Sequence, residues 1–122
     1  MKYREIQVTN ATRATDVARE CKVAQGLRER VLGLHLLPQL KAGEGLLLPG
    51  ATTIDTTFMR YPIDLVFLDR SRRVTRIVPE LKPWRMVVRT FGGHDCLELP
   101  AGAAAASGTV AGDTLGFEER VV

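Results

Sequence analysis

The sequence predicts a single α+β domain over residues 1–122, with a mostly antiparallel sheet, barrel-like in one reading, and one main helix. Three observations lead there. Short apolar and β-branched runs recur along the chain, bounded by Gly, Pro, Asn or Asp. The apolar period changes to that of a helix between Val23 and Leu34. The segments between runs look too short for the crossovers that parallel strands require. A chain of 122 residues is long enough to bury a real core.

The elements follow in order. Tyr3 to Thr9 alternates loosely and reads as a strand, and Thr15 to Cys21 as another. Val23, Leu27, Val31 and Leu34 then fall on one helical face, predicting a helix over 23–34 that packs on the sheet. Gly26 weakens it by about 1 kcal/mol relative to Ala, Gly33 marks its end, and Arg30 flanks the apolar face. Pro38 to Gly45 is a connection, and Leu46 to Leu48 a buried strand. Thr52 to Thr57 is rich in β-formers. Ile63–Leu68 and Val74–Val78 form a hairpin around the turn at Asp69 to Arg72. Leu81 to Trp84 is a proline-bearing loop, and Met86–Arg89 and Cys96–Leu99 are short strands. The alanine-rich stretch 101–107 suits a helical turn ending at Gly108, and a last strand, Thr114–Phe117, follows Gly112-Asp113.

Composition excludes several function classes. No run reaches the roughly 18 apolar residues of a membrane span. The N-terminal stretch MKYREIQVTN lacks the apolar core of a secretory signal, so a cytoplasmic location is expected. Cys21 and Cys96 stand far apart without CxxC spacing and read as buried, reduced thiols. With only His35 and His94 besides, no metal site and no cofactor are expected. Net charge is +3, but residues 60–89 carry eight basic and three acidic side chains. Such a patch attracts anionic partners. Near-absence of interleaved aromatics argues against nucleic acid. No GxSxG, phosphate-loop or HExxH motif is present.

Chemistry therefore rests on individual residues. Asp64 lies inside the apolar strand Ile63–Leu68, where an unpaired carboxylate would be costly. It is either a structural anchor, with Arg30 as the foremost candidate partner, or part of a site. Met59 reads as core filler or ligand contact, and Arg60 as solvated or anion-binding. Glu98 alternates with Leu97 and Leu99, so it points away from both, to water or into a site. Lys82, Trp84 and Arg85 make a basic loop with one large aromatic, suited to a ligand or partner.

In order along the chain, several motifs resemble the prokaryotic family called domain of unknown function 192. They are Arg30 ahead of Gly33-Leu34, the Gly43-to-Leu48 segment, and Met59 with Pro62, Asp64, Phe67 and Asp69. Leu97 to Gly102 and Gly112-Asp113 complete the set. The resemblance covers roughly residues 13 to 117. Many similar sequences carry His where this chain has Asp55, and Met where it has His35. The resemblance implies a fold and a residue set without an activity.

The expected function is a small soluble binding or accessory module for an anionic ligand or protein partner, through Arg30, Met59, Arg60, Asp64, Lys82, Trp84, Arg85 and Glu98. The alternative is a small hydrolase-like enzyme with Asp64 and Glu98 as an acid–base pair. The sequence leans away from catalysis and leaves the oligomeric state open.

Overall fold

The computed structural model describes residues 3–24, 39–51, 53–57, 59–88 and 93–120. Strands β1 (Arg4–Asn10), β2 (Thr15–Val23), β3 (Glu44–Pro49), β4 (Thr53–Asp55) and β5 (Ile63–Leu68) come first. They are followed by β6 (Val74–Leu81), β7 (Met86–Val88), β8 (Asp95–Pro100), the short helix α1 (Ala103–Ala106) and β9 (Leu115–Glu119). Seven strands form one sheet in the order β6-β5-β8-β3-β2-β1-β9, and β4 pairs with β7 in a separate ribbon.

The α+β expectation needs correcting in three ways. Strand dominates the described residues, and the one helix among them is α1. Val23, expected to open the main helix, is the last residue of β2, and the rest of that expected helix, with Arg30, lies outside the described residues apart from Ala24. The sheet is also mixed, because β2 and β3 run parallel, Cys21 opposite Gly45 and Val23 opposite Leu47. The connection from Ala24 to Gly43 exceeds the dozen or so residues a parallel crossover needs. Finally, the barrel is not closed. Edge strands β6 and β9 meet only at their beginnings, through the bridge Arg73–Thr114 and the bonds Val74 N–H to Asp113 O (2.7 Å) and Leu115 N–H to Arg72 O (2.9 Å).

Two apolar clusters hold the sheet. One gathers Ile6, Val8, Val66, Leu97 and Leu99 beneath Ala104. The other gathers Leu46, Leu48, Leu65, Phe67 and Cys96 with Ile54 and Met59. The central strands β3, β5 and β8 contribute to both, so they read as continuous apolar runs, and all six residues of β5 are buried. By contrast β1 alternates, with Ile6, Val8 and Asn10 inward. Gly45 is required by close approach: a Cβ there would lie 3.2 Å from Ala18 Cβ and 3.3 Å from Glu98 O. Pro79 is tolerated because β6 is an edge strand, and the β5–β6 register shifts across it, with Ile63 opposite Leu81 but Leu65 opposite Val78. No helix among the described residues is long and apolar enough to cross a membrane.

Candidate functional site

Asp64 is 1% exposed, and backbone amides hold its carboxylate. Oδ1 accepts the Glu80 N–H at 2.8 Å, from the bulged stretch of β6 where Glu80 has φ +50°. Oδ2 accepts the Gly102 N–H at 3.1 Å and the Ala104 N–H at 2.9 Å. Gly102 is the N-cap of α1 and supplies no side-chain cap, so a carboxylate from β5 does that work instead. The residue ties bulge, strand and helix together. The expected arginine partner is not needed for this satisfaction.

Glu98 has the opposite environment. It is 4% exposed, so it does not point to water. It stands opposite Leu46 on β3 and Leu65 on β5, which places it on the face of the second cluster. Its Oε2 has no hydrogen-bond partner among the described residues. Burial pushes its carboxyl up to about 8. Tyr61 packs against the same cluster. Burial first, and then the Glu98 charge, raise the pKa of its hydroxyl, while a hydrogen bond with the Leu40 backbone lowers it.

The register separates the two carboxylates. Asp64 is opposite Leu99, and Glu98 is opposite Leu65, one rung away. Adjacent residues on a strand face opposite ways. Asp64 and Glu98 therefore lie on opposite faces of the sheet and cannot share a proton or a substrate. The acid–base pair of the hydrolase alternative is not formed.

A second group of expected residues does come together. Thr56, fully buried after β4, binds the 82–85 loop from several sides. Its hydroxyl donates to Lys82 O at 2.8 Å or Arg85 O at 3.1 Å and accepts the Arg85 N–H at 2.8 Å. Its own N–H donates to Arg85 O (2.8 Å), and its carbonyl accepts the N–H groups of Trp84 (3.1 Å) and Met59 (3.0 Å). Met59 is thereby fixed beside the loop, with its side chain in the second cluster, while Arg60, Lys82 and Arg85 are exposed. Trp84 is held at φ +64°, a left-handed conformation costly for a residue with a Cβ, and is 60% exposed. Met86, 68% exposed, extends the apolar surface. Thr56, Tyr61 and Met86 were missed by the sequence reading. The proline-bearing loop hinted at Met86 alone.

The other reactive groups are quiet. Cys21 and Cys96 belong to different clusters, and burial pushes the Cys21 thiol up to about 12 and the Cys96 thiol well above its usual value. Neither is a thiolate nucleophile. No group of three or more His, Cys, Asp or Glu residues that could hold a metal occurs among the described residues.

Residues 7–117 match the family described as Uncharacterized ACR, domain of unknown function 192. A UPF0127 protein of Thermococcus sibiricus is 31% identical over 101 residues, or 80% of this chain, which spans 65% of that relative's length. Two crystal structures share the fold. One, a protein of unknown function from Novosphingobium aromaticivorans, is 22% identical with a TM-score of 0.73, over 92% of this chain and 83% of that one. The other, from Sinorhizobium meliloti and described as a putative transcription regulator, is 21% identical with a TM-score of 0.80, over 96% of both chains.

Proposed function

The chain belongs to the domain of unknown function 192 family, which brings a fold without an activity, and on that premise we propose that it is a non-catalytic cytoplasmic binding module. Its ligand face is the turn and loop gathered on Thr56: Arg60, Lys82, Trp84, Arg85 and Met86. The observation that carries this reading is Trp84, exposed and strained yet pinned through its backbone. Such strain is kept where a side chain must be presented. An aromatic anchor rimmed by arginine and lysine suits an acidic protein face or an anionic ligand with an apolar part. The two free buried cysteines suit a reducing compartment.

The regulator description of the S. meliloti protein raises nucleic-acid binding as a second reading. The basic side chains do not favour it. Arg70, Arg72 and Arg73 sit at the β5–β6 turn, whereas Lys82 and Arg85 follow the far end of β6, an eight-residue strand about 26 Å long. Arg72 is also stacked on Phe117 at 4.3 Å.

Trp84 is the chain's single tryptophan, so its emission reports the proposed face alone. Acidic peptides with interspersed apolar residues are expected to give a saturable blue shift. By anisotropy of labelled peptide, Trp84→Ala weakens binding at every salt concentration, roughly tenfold or more. Arg60→Ala and Arg85→Ala weaken it mainly at low salt. Unchanged emission with all such peptides, or unchanged binding by Trp84→Ala, overturns the reading. Turnover in a broad hydrolase screen, lost in folded Glu98→Gln, would replace it with an enzyme.

A further inference from the structure

We propose that the open cleft where β2 and β3 begin to pair binds a small, hydroxyl-rich phosphate monoester of the sugar-phosphate class. The cleft, about 480 Å³, is formed by Arg19 and Glu20 of β2, the turn from Lys41 to Glu44 that leads into β3, and Arg120. That is more than a bare phosphate needs and lies within the roughly 300–1,000 Å³ of small-molecule sites. No residue of the Trp84 loop lines it, so this site is separate from the proposed ligand face and does not rest on it.

Two backbone irregularities build the cleft. In β2, Cys21 stands opposite Ile6 but Ala18 opposite Val8, so Arg19 and Glu20 together oppose Gln7. This is a β-bulge, a device that re-aims side chains. A regular strand would turn one of the two inward. Here both are exposed, between the buried Ala18 and Cys21. Facing the bulge, the turn is closed by the Glu44 N–H to Lys41 O (2.9 Å), with Gly43 at φ +87°. The Glu20 N–H donates to Gly43 O at 2.9 Å and fixes bulge to turn. The Arg19 guanidinium lies against that turn, since a Cβ on Gly43 would be 3.6 Å from its Nη2 and 3.7 Å from its Nε.

The charges lining the cleft are not equivalent. Arg120 is taken up by the carboxylates of Glu20 (3.6 Å) and Glu5 (4.0 Å). Glu44 Oε1 accepts the backbone N–H of Lys41 at 2.7 Å, which holds the carboxylate without using the Lys41 ammonium. Among the described residues, no ion pair engages Arg19 or Lys41. A planar fork and a point charge are therefore left for an anion. The fork matches two oxygens of a phosphate, and the ammonium meets the second charge that a monoester carries above about pH 6. Glu20 and Glu44 accept hydrogen bonds, which suits the hydroxyls of the organic part, and they repel a polyanion. The one apolar side chain in the lining is Ala42, so an aliphatic or aromatic part has no wall to rest on.

The test is an amide NMR titration of the full chain with glucose 6-phosphate, with glucose and inorganic phosphate as its two halves. Saturable shifts are expected at the Glu20 and Gly43 amides, with the ester bound at least about tenfold more tightly than either half. Arg19→Gln weakens the ester about tenfold or more. Arg19→Lys, which keeps the charge and loses the fork, and Lys41→Gln each weaken it severalfold. Amide shifts that match wild type away from the cleft check that each variant is folded. No shift at these amides up to roughly 20 mM ester overturns the proposal, as does an Arg19→Gln chain that binds like wild type. Inorganic phosphate or glucose binding as tightly as the ester overturns the sugar-phosphate class. Trp84→Ala leaves ester binding unchanged. A loss in that variant would place the ester on the Trp84 face and overturn this site, whereas failure here leaves the Trp84 face and its peptide test standing.

Discussion

Two buried carboxylates sit one rung apart on the same sheet and lead opposite lives. Asp64 faces the cluster under α1 and accepts three backbone amides. Glu98 faces the cluster under the β4–β7 ribbon and has an oxygen with no partner. Both are apolar-strand acids nearly without exposure. The difference is what the covering layer offers. A bulge and a helix start present free N–H groups, whereas leucine and methionine side chains present no donor. A satisfied buried carboxylate holds a fold together, whereas an unsatisfied buried acid keeps its proton and leaves chemistry available.

The comparison breaks most visibly at Asp64. Asp64→Ala strands three amides and should cost about 4 kcal/mol, lowering Tm by roughly 15 °C. An unchanged thermal melt would mean that the anchor is dispensable. Glu98→Gln should act the other way. In the wild type the folded state holds a proton that the unfolded state loses above 4.5, so stability falls as pH rises from 4.5 to about 8. The slope is about 1.4 kcal/mol per pH unit, or about 3 kcal/mol between about pH 6 and 8. Glu98→Gln should flatten it in urea titrations across that range, and a slope that persists would place its source elsewhere.

Asp113 sharpens the contrast on a smaller scale. Its Oδ2 accepts Arg13 Nε (2.7 Å), Asn10 Nδ2 (3.0 Å) and the Val110 N–H (3.0 Å). Arg13 first, then Asn10 and the Val110 amide, lower its carboxyl from 3.8 to about 2. Here the folded pKa is depressed. The contribution is complete above the unfolded value and is lost as pH falls from about 4 to about 2. Asp113→Asn should lose stability at neutral pH and show a shallower acid transition in circular dichroism than wild type. An acid limb that does not change would remove Asp113 from the comparison.

The strand plan was largely legible in the residues. The ends of Ile63–Leu68 are legible to the residue, because a short apolar run bounded by Pro62 and Asp69 has marked limits. The parallel pairing of β2 and β3 was not, since periodicity says nothing of which neighbour a strand finds. Asp64 could be read as needing partners, but not as finding amides 16 and 40 positions away. For Glu98 the alternation with Leu97 and Leu99 gives the face and leaves water and a site open, and burial removes water. A strand cannot announce that a second cluster covers its other side. Tyr61 carried no pattern at all, being a single aromatic in a turn.

The pairing of β1 with β9 also sets a timetable for synthesis. Arg4 and Glu119, joined by a 2.6 Å ion pair, are separated by 115 positions in the chain. At translation rates of about 5–20 residues per second, the outer edge of β1 waits on the order of 6–20 s for its neighbour to be made. A nascent chain therefore displays an unpaired strand edge through that interval, which is when a strand from another chain could take the place. Arg4 and Glu5, charged residues at the start of that edge, are well placed to keep strangers off until β9 arrives.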